Sequence, residues 1–513
     1  MLLLSLLPIL LILFLMLALR WGAAQAGAAG YLSALAIALL FFGAGPKLLA
    51  YAHVRALLLS LDVLVIIWAA FLFYRVADEA GAVRVISQSL PYLTADRGMQ
   101  ALIIGWTFAS FLQGVGGFGV PVAVVSPILT SLGFEPLAAV VIPSIGHGWS
   151  VTFGSLGSSF QALISTTGLS AEELTPFSAF FLSVAGVVMG WMVAHAAGGW
   201  QAVRRLFWPV AILGGVMGVV HYLVAEAGLW NIASFCAGMA GLVVGFPLAR
   251  YFRNPTPYPS PTPLPPRSLT PLLLALSGYV ILVALTLAVQ LIPVVKDFLG
   301  QVYVQMHFPQ VSTALGYVTP EGVSRKIRIF NHAGTTLVYA SLLSYLLYRL
   351  AGWYQPGSVG RIVSGTLQRV LSSSLSIASM VAMAVIMENS GMTDALARGL
   401  AAGVGMYFPF VSPWIGALGS FMTGSNTNAN VMFGVLQLQT ANLLKYSAAL
   451  ILAAQTSGAS LASVLAPSKV AVGASTAGMS GREGEVMRKL VIYVGLSVLL
   501  IGLMTVIGIW ISG

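Results

Sequence analysis

Two apolar stretches of this 513-residue chain repeat one another at a constant offset of 310 positions (420 against 110), and glycine and asparagine interrupt both. The sequence SFLQG at 110–114 returns as SFMTG at 420–424. In the same register, 79–81 aligns with 389–391 and 148–150 with 458–460. Chance similarity is the alternative, but three matches without a gap argue against it. A broken internal repeat of this kind indicates the binding site of a secondary transporter.

Composition restricts the class of protein. Of the residues, 58% are hydrophobic and 7% charged, whereas an average soluble protein has about 25% charged residues. Apolar runs long enough to cross a bilayer recur, and they predict an all-α polytopic membrane protein rather than a β-barrel. The single Cys236 excludes an intrachain disulfide framework. The net charge of +10 is spread over loops, which indicates membrane topology and not nucleic-acid binding.

The predicted spans lie roughly at 2–19, 28–45, 57–75, 175–196, 206–225, 230–249, 270–292, 333–349, 370–388 and 490–511. The first lacks a basic n-region and precedes Arg20, so we interpret it as a span and not as a cleaved signal peptide.

The two repeated regions are too interrupted to be ordinary spans. Arms of ~12 helical residues reach about 18 Å, just past the middle of a ~30 Å core. We therefore predict re-entrant hairpins at 98–133 and 408–443, with tips at 114–121 and 424–430. The segments that follow, 137–165 and 447–478, are predicted to be spanning helices unwound midway. Non-helical backbone at this depth requires burial in protein or a water-filled cavity, so all four breaks should surround one polar site.

Basic residues predict the orientation. With both termini outside, fifteen Lys and Arg fall on the cytosolic side and eight outside. The first hairpin then opens to the cytosol and the second to the outside, which makes the repeats inverted. The cluster around Arg325 and Arg328 lies on the less favoured side.

The predicted organisation is a first half at 1–250, a linker at 251–269 and a second half at 270–513. The linker carries seven prolines between 255 and 266, favours polyproline II and should be cytosolic. Docking of an SH3-like partner is the alternative. The stretch 294–332 has neither a helical nor a strand-like hydrophobic period, so we assign no structure to it.

The second tip is rich in amide and hydroxyl groups. Its candidate substrate-binding residues are Ser425, Asn426, Thr427, Asn428 and Asn430. These side chains, with free N–H groups at helix N-termini, suit a carboxylate. The same oxygens also suit Na⁺. A packing patch of small residues is the further alternative, which three asparagines in five positions disfavour.

The first tip offers backbone more than side chains. Gly114, Gly117 and Gly119 let the chain approach a ligand closely. The glycine pattern resembles a phosphate loop, but no strand pattern precedes it, so we reject nucleotide binding. The unwound helices add further candidates for substrate binding, namely Ser150, Thr456, Ser457 and Ser460.

Four ionisable residues lie in the predicted membrane core, where a charged side chain costs free energy. Lys469 is the predicted counter-charge for an anionic substrate. His147, Glu388 and Asp62 are the proton-coupling candidates. His147 either carries a proton or bonds locally, Asp62 is either a structural partner or a proton site, and Glu388 lies near the outer interface. No nucleophile motif assembles, so we predict neither an enzyme nor a cofactor or metal site.

Several motifs together resemble the bacterial L-lactate permease family. They are GFGxPVA at 117–123, LGFxP at 132–136, FGxxG at 153–157, LGxFxTGSxTxxNxxF at 418–433, AP at 466–467 and GxE at 481–483. The resemblance covers 98–165 and 365–510, and it implies uptake of lactate, glycolate or similar 2-hydroxy monocarboxylates with protons. Residues 425–427 (SNT) also look like the hairpin-tip signature of the wider ion-transporter superfamily, which implies an elevator mechanism and commonly a homodimer.

The chain departs from that family's pattern around the predicted cavity. Typical members carry Glu at the position of Gln113, often Asp at that of Asn426, Asn at that of His147 and a small polar residue near Lys469. Two acids are lost and two basic groups gained. Substrate charge and proton coupling are the properties that these changes affect.

The predicted function is secondary active transport of a small organic anion across the cell (inner) membrane, with H⁺ symport. Moving a monoanion inward costs ~2.3 kcal/mol per 100 mV, and one accompanying H⁺ removes that cost. A Na⁺-coupled carboxylate transporter and a channel-like anion pore are the alternatives. A non-transporting scaffold or receptor would not need four polar breaks. The predicted partners are the anion, H⁺ (or Na⁺), the lipid bilayer and a second copy of the chain.

Overall fold

The computed structural model describes residues 1–89, 94, 96–117, 119–251, 269–324 and 326–512. Within them the chain is helical apart from one β-hairpin. The helices are α1 Leu2–Leu17, α2 Ala23–Phe41, α3 Pro46–Glu79, α4 Ala82–Ser89, α5 Arg97–Gln100, α6 Ala109–Val115, α7 Val120–Ser131, α8 Pro136–Gly148, α9 Ser158–Thr167, α10 Ala171–Arg205, α11 Phe207–Val224, α12 Ala233–Tyr251, α13 Leu269–Leu291, α14 Pro293–Leu299, α15 Ala333–Leu350, α16 Ser358–Ser390, α17 Met392–Val404, α18 Phe408–Thr423, α19 Asn426–Leu443, α20 Ala448–Ala462, α21 Pro467–Thr476 and α22 Glu483–Ser512.

Nine helical segments of the described residues are long and apolar enough to cross a membrane. This confirms the prediction of a polytopic α-helical membrane protein. The predicted Pro-rich linker lies outside the described residues at 252–268, as do Phe118 of the first tip and Arg325.

Each predicted hairpin is a pair of helices joined at the predicted tip. In the first, α5 continues through a π-helical segment, Ala101–Phe108, into α6, and α7 begins at Val120. In the second, Gly424 ends α18 with φ of +70°, a left-handed conformation that glycine adopts without strain. Ser425 then caps α19 by accepting from the backbone N–H of Asn428.

The chain leaves α-helical geometry within each of the segments 137–165 and 447–478. After α8, the chain leaves helical geometry, passes through a 3₁₀ turn at Ser155–Gly157 and resumes as α9. After α20 and a 3₁₀ turn at Ser463–Leu465, Ala466 is extended ahead of Pro467, as the residue before proline prefers. The order of long helix, hairpin, broken helix and long helix therefore occurs twice, from α3 to α10 and from α16 to α22.

Two groups of helices are packed side by side. The first contains α1, α2, α3, α13, α15 and α16, and the second contains the hairpins, the broken helices, α10, α11, α12 and α22. Glycines allow very close crossings within the second group. A Cβ at Gly146 of α8 would lie 2.0 Å from the carbonyl oxygen of Gly105, and one at Gly458 of α20 would lie 2.0 Å from that of Pro413.

The stretch 294–332, which the sequence left unassigned, contains α14 and a β-hairpin, so the described chain is not entirely helical. Its strands are β1 Tyr303–Val304, β2 His307–Phe308, β3 Val311–Ser312, β4 Val318–Thr319, β5 Gly322–Val323 and β6 Ile327–Arg328. They pair antiparallel as β1 with β6, β2 with β5 and β3 with β4.

The end of the β-hairpin is fastened to loops of the first helix group. The N–H of Ala314 donates to the carbonyl of Gly43 at 2.8 Å. The hydroxyl of Thr319 donates to the backbone carbonyl of Asn389 at 3.2 Å. The Tyr317 ring covers Gly391, where a Cβ would lie 2.8 Å from it. Burial, with smaller contributions from nearby carboxylates, raises the pKa of the Tyr317 phenol. Tyr317 therefore stays neutral and packs as an aromatic clamp.

Candidate functional site

The second hairpin tip inserts between the two broken helices. The side-chain amide of Asn426 donates from Nδ2 to Oγ1 of Thr152, in the break between α8 and α9, at 2.9 Å. Thr152 in turn donates to the carbonyl of Thr456 on α20 at 3.1 Å. The second tip, the first break and the middle of α20 therefore meet through two hydrogen bonds.

The rest of this tip makes further contacts across the same region. Asn430 donates to the carbonyl of Ser159 and to Oγ1 of Thr456, both at 2.9 Å. The hydroxyls of Ser159 and Thr427 lie 3.1 Å apart. Thus the start of α9 is held against the start of α19.

The first tip lies against the other side of the first break. Gly117 has φ of +53°, and a Cβ there would overlap Ser155, only 1.6 Å from its Oγ. Gly119, with φ of +87°, faces the aliphatic stem of Lys469, whose Cγ would lie 4.0 Å from an added Cβ. Gly114 differs, because its missing Cβ leaves room for the backbone of Phe235 on α12. Gly114 thereby lets the first hairpin pack closely against α12, and its contact with a ligand stays a prediction.

Several polar atoms at this meeting point are buried and, within the described residues, have no hydrogen-bond partner. They are the side-chain carbonyl oxygens of Asn426, Asn428, Asn430 and Gln113, the hydroxyl of Ser457 and Nε2 of His147. An unsatisfied buried polar atom costs about 1–3 kcal/mol, so such atoms are few in most proteins. Among them, we interpret the asparagine oxygens of the second tip as candidate contacts for a polar ligand.

The remaining candidates on the broken helices serve the backbone. Ser150 donates to the carbonyl of His147 at 2.8 Å, and Ser460 donates to that of Gly148 at 2.8 Å. His147 is fully buried and its Nδ1 lies 2.6 Å from the carbonyl of Pro143. The contacts of Ser150 and Ser460 satisfy carbonyls that the end of α8 leaves without helical partners.

A cavity of about 940 Å³ lies on the side of the molecule where the β-hairpin is located. Two of the three proton-coupling candidates line it, Asp62 and Glu388. Glu388 is paired with Arg55 at 3.2 Å. The structure therefore separates these two acids from the hairpin tips, and we refer to this cavity as the vestibule.

Asp62 is at the centre of a buried cluster in the wall of the vestibule. His332, directly before α15, lies with Nε2 3.0 Å from Oδ1 of Asp62. Gln161 and Ser165 of α9 donate to Oδ2 at 2.6 and 2.5 Å. Only 4% of the Asp62 surface is exposed.

The sequence pattern that defines the L-lactate permease family matches residues 1–512. This chain belongs to that family. Glycolate permease GlcA of Escherichia coli (strain K12) is 30% identical over 473 residues, which cover 86% of this chain and 83% of the relative. L-lactate permease of Bacillus subtilis (strain 168) is 29% identical over 465 residues, 83% of this chain and 80% of the relative.

Among solved structures, the Alcanivorax borkumensis YdaH transporter aligns with a TM-score of 0.49 and 14% identity, over 87% of this chain and 85% of that chain. The relatives of this L-lactate permease family member are named permeases, so the prediction that the chain is not an enzyme is confirmed. The chain is a multi-pass protein of the cell membrane.

Sequence reasoning missed several residues of this permease's candidate site. They are Gln161, Ser165, His332, Thr152, Ser155 and Ser159. Thr152 and Ser155 lie within the first break and Ser159 begins the next helix, so the break itself was the signal for these three. His332 had no local signal, because only tertiary packing places it beside Asp62, 270 positions away.

Proposed function

We propose that this protein is a secondary active transporter that imports a small 2-hydroxy monocarboxylate, such as L-lactate or glycolate, together with H⁺. The observation that carries the proposal is the set of buried amide oxygens on the second tip, Asn426, Asn428 and Asn430, which have no hydrogen-bond partner within the described part of the chain. The names of its relatives, a glycolate permease and an L-lactate permease, support the substrate class.

A 2-hydroxy acid matches these groups chemically. Its carboxylate needs donors and a positive charge, which the N-terminus of α19 and the Lys469 ammonium supply. Its hydroxyl is a donor and needs an acceptor, which the unpartnered oxygens of Asn426, Asn428 and Asn430 supply. A ligand without the hydroxyl would leave one more of these acceptors unsatisfied, so the site should discriminate against it.

Proton coupling follows from charge balance, since one H⁺ cancels the electrical cost of one monoanion. Gln113 and Asn426 cannot titrate. The coupling group is therefore sought among His147, Glu388 and Asp62.

The proposal has four further parts. They are inverted repeats, an elevator movement of the second helix group against the first, a homodimer, and termini on the outside. The repeated order of elements supports the repeats. The distribution of basic residues supports the orientation. With that orientation the vestibule and the β-hairpin face the outside.

Uptake of labelled L-lactate and glycolate by purified protein in liposomes tests the function, with protein-free liposomes as the control. An inward pH gradient should drive accumulation, and unlabelled internal substrate should exchange with external label. Accumulation driven by Na⁺ and not by pH would overturn the proton coupling. Flux that shows neither saturation nor exchange would favour an anion pore.

A further inference from the structure

We propose that Asp62, with His332, Gln161 and Ser165, is the site where the coupled proton binds from the outer vestibule. The inference rests on the proposed function, since it assigns the proton of that symport to one carboxylate. The pairing of Asp62 with His332, the role of α9 and the entry from the vestibule are all features of the tertiary structure.

The hydrogen bonds define the resting form of the cluster. The N–H of Gly334 donates to Nδ1 of His332 at 3.2 Å, so the ring's own proton is on Nε2. Nε2 faces Oδ1 of Asp62 and donates to it. Gln161 and Ser165 donate to Oδ2, so both carboxylate oxygens of Asp62 accept hydrogen bonds.

Binding of the proton transfers one proton from water to Asp62. A hydronium ion of the vestibule water gives its proton to Oδ2 of Asp62, an O–H bond forms, and a water molecule remains. Ser165 can reverse its hydroxyl, because a hydroxyl both donates and accepts, and it then accepts from the new carboxylic acid. His332 and Gln161 keep their protons, so the charge of the cluster changes by one unit while Asp62 stays hydrogen-bonded to Ser165.

Glu388, the other proton-coupling candidate in the vestibule, is less suited to bind the coupled proton. Glu388 on α16 is already compensated by Arg55 of α3. The remaining charged groups that line the vestibule come from the β-hairpin and its flanks, from α10 and from the segment after α11: Lys296, Glu321, Lys326, Arg328, Glu172 and Glu226. The surface of α9 that faces Asp62 presents the neutral groups Gln161 and Ser165.

Helix α9 connects the proton to the substrate site. Gln161 and Ser165, which donate hydrogen bonds to Asp62, lie on the same short helix as Ser159. Ser159 contacts Thr427 and Asn430 of the second tip. The contact between Asp62 and α9 also joins the two helix groups, so the protonation state of Asp62 changes the strength of a polar contact that an elevator movement must break.

Asp62→Asn tests the inference in the full-length protein reconstituted in liposomes. The variant cannot titrate, so accumulation of glycolate driven by an inward pH gradient should fall at least tenfold. Exchange of internal and external glycolate, which needs no net proton binding, should persist. Glu172→Gln, which removes an exposed carboxylate from the same vestibule, should retain both activities.

The outcomes separate the two proposals. Wild-type protein that does not use a pH gradient would refute the proposed coupling itself. Wild-type protein that does, together with an Asp62→Asn variant that still accumulates glycolate, would refute only the proton site.

A second pair of variants decides the question if Asp62→Asn shows no exchange. Ser165→Ala removes one donor, and His332→Asn removes another while keeping an acceptor at the cap of α15. Each should move the pH profile of uptake toward alkaline pH by about one unit, since the ionised carboxylate loses a stabilising hydrogen bond. Unmoved profiles in both variants would overturn the proposal.

Discussion

Asn426 donates a hydrogen bond to Thr152 at 2.9 Å, although 274 positions separate the two residues in the chain. The bond joins the second hairpin tip to the break in the first spanning helix. It fixes the orientation of the Asn426 amide, whose oxygen is left without a partner among the described residues. The Asn426 side chain thereby bonds to the first half and presents an acceptor to a ligand.

Asn426→Leu should weaken substrate binding at least tenfold, because it removes both the acceptor and the bond that positions it. The loss of a hydrogen bond to a charged or strongly polar ligand costs about 1.5–3 kcal/mol. Concentration dependence of glycolate exchange measures the effect. Asn442→Leu, an exposed position on the same helix, is the control. Equal affinity in a well-folded Asn426→Leu variant would place the substrate elsewhere.

Lys469→Met should raise the substrate concentration needed for half-maximal exchange by tenfold or more. Lys469 is 9% exposed and lies beside the first tip, so its removal takes a fixed positive charge from the proposed carboxylate site. Lys489→Met, at an exposed position on α22, should leave exchange unchanged. Normal affinity in the first variant would make Lys469 a structural residue.

Gly146→Ala should destabilise the protein by about 1–3 kcal/mol, as overpacking does in other cores. The added Cβ would lie 2.0 Å from the carbonyl oxygen of Gly105 and would force α8 away from the first hairpin. Gly215→Ala, where nothing lies within 4 Å, should be neutral or slightly stabilising. Thermal unfolding in detergent compares the two variants. A melting temperature unchanged by Gly146→Ala would contradict the close crossing.

Cysteine labelling tests the proposed orientation. In a Cys236→Ala background, a membrane-impermeant maleimide added to intact cells should label Leu315→Cys at the exposed turn of the β-hairpin. Gly360→Cys, near the start of α16, should react only after permeabilisation. The reverse pattern would place the termini and the vestibule on the cytosolic side.

The helices and their interruptions follow from local chemistry and could be predicted from the sequence. Glycine and asparagine cannot extend an apolar helix cheaply, and proline removes a donor, so the tips at Gly117 and Gly424 and the break before Pro467 are visible without a structure. The β-hairpin was missed, because its strands are two residues long and no period develops over such a length. Helices α4 and α17 were also missed, because both are shorter than the membrane-crossing apolar runs on which the prediction of helices was based.

By itself, the sequence determined that the chain is a membrane protein, where its helices break and to which family it belongs. These depend on composition, on backbone preferences and on motifs within a few dozen residues. Only the tertiary structure decided which polar groups meet. It separated Asp62 and Glu388 from the tips, placed His332 beside Asp62 and assigned Gly114 to packing against Phe235. Contacts between residues hundreds of positions apart depend on how whole helices pack, and no local pattern records that packing.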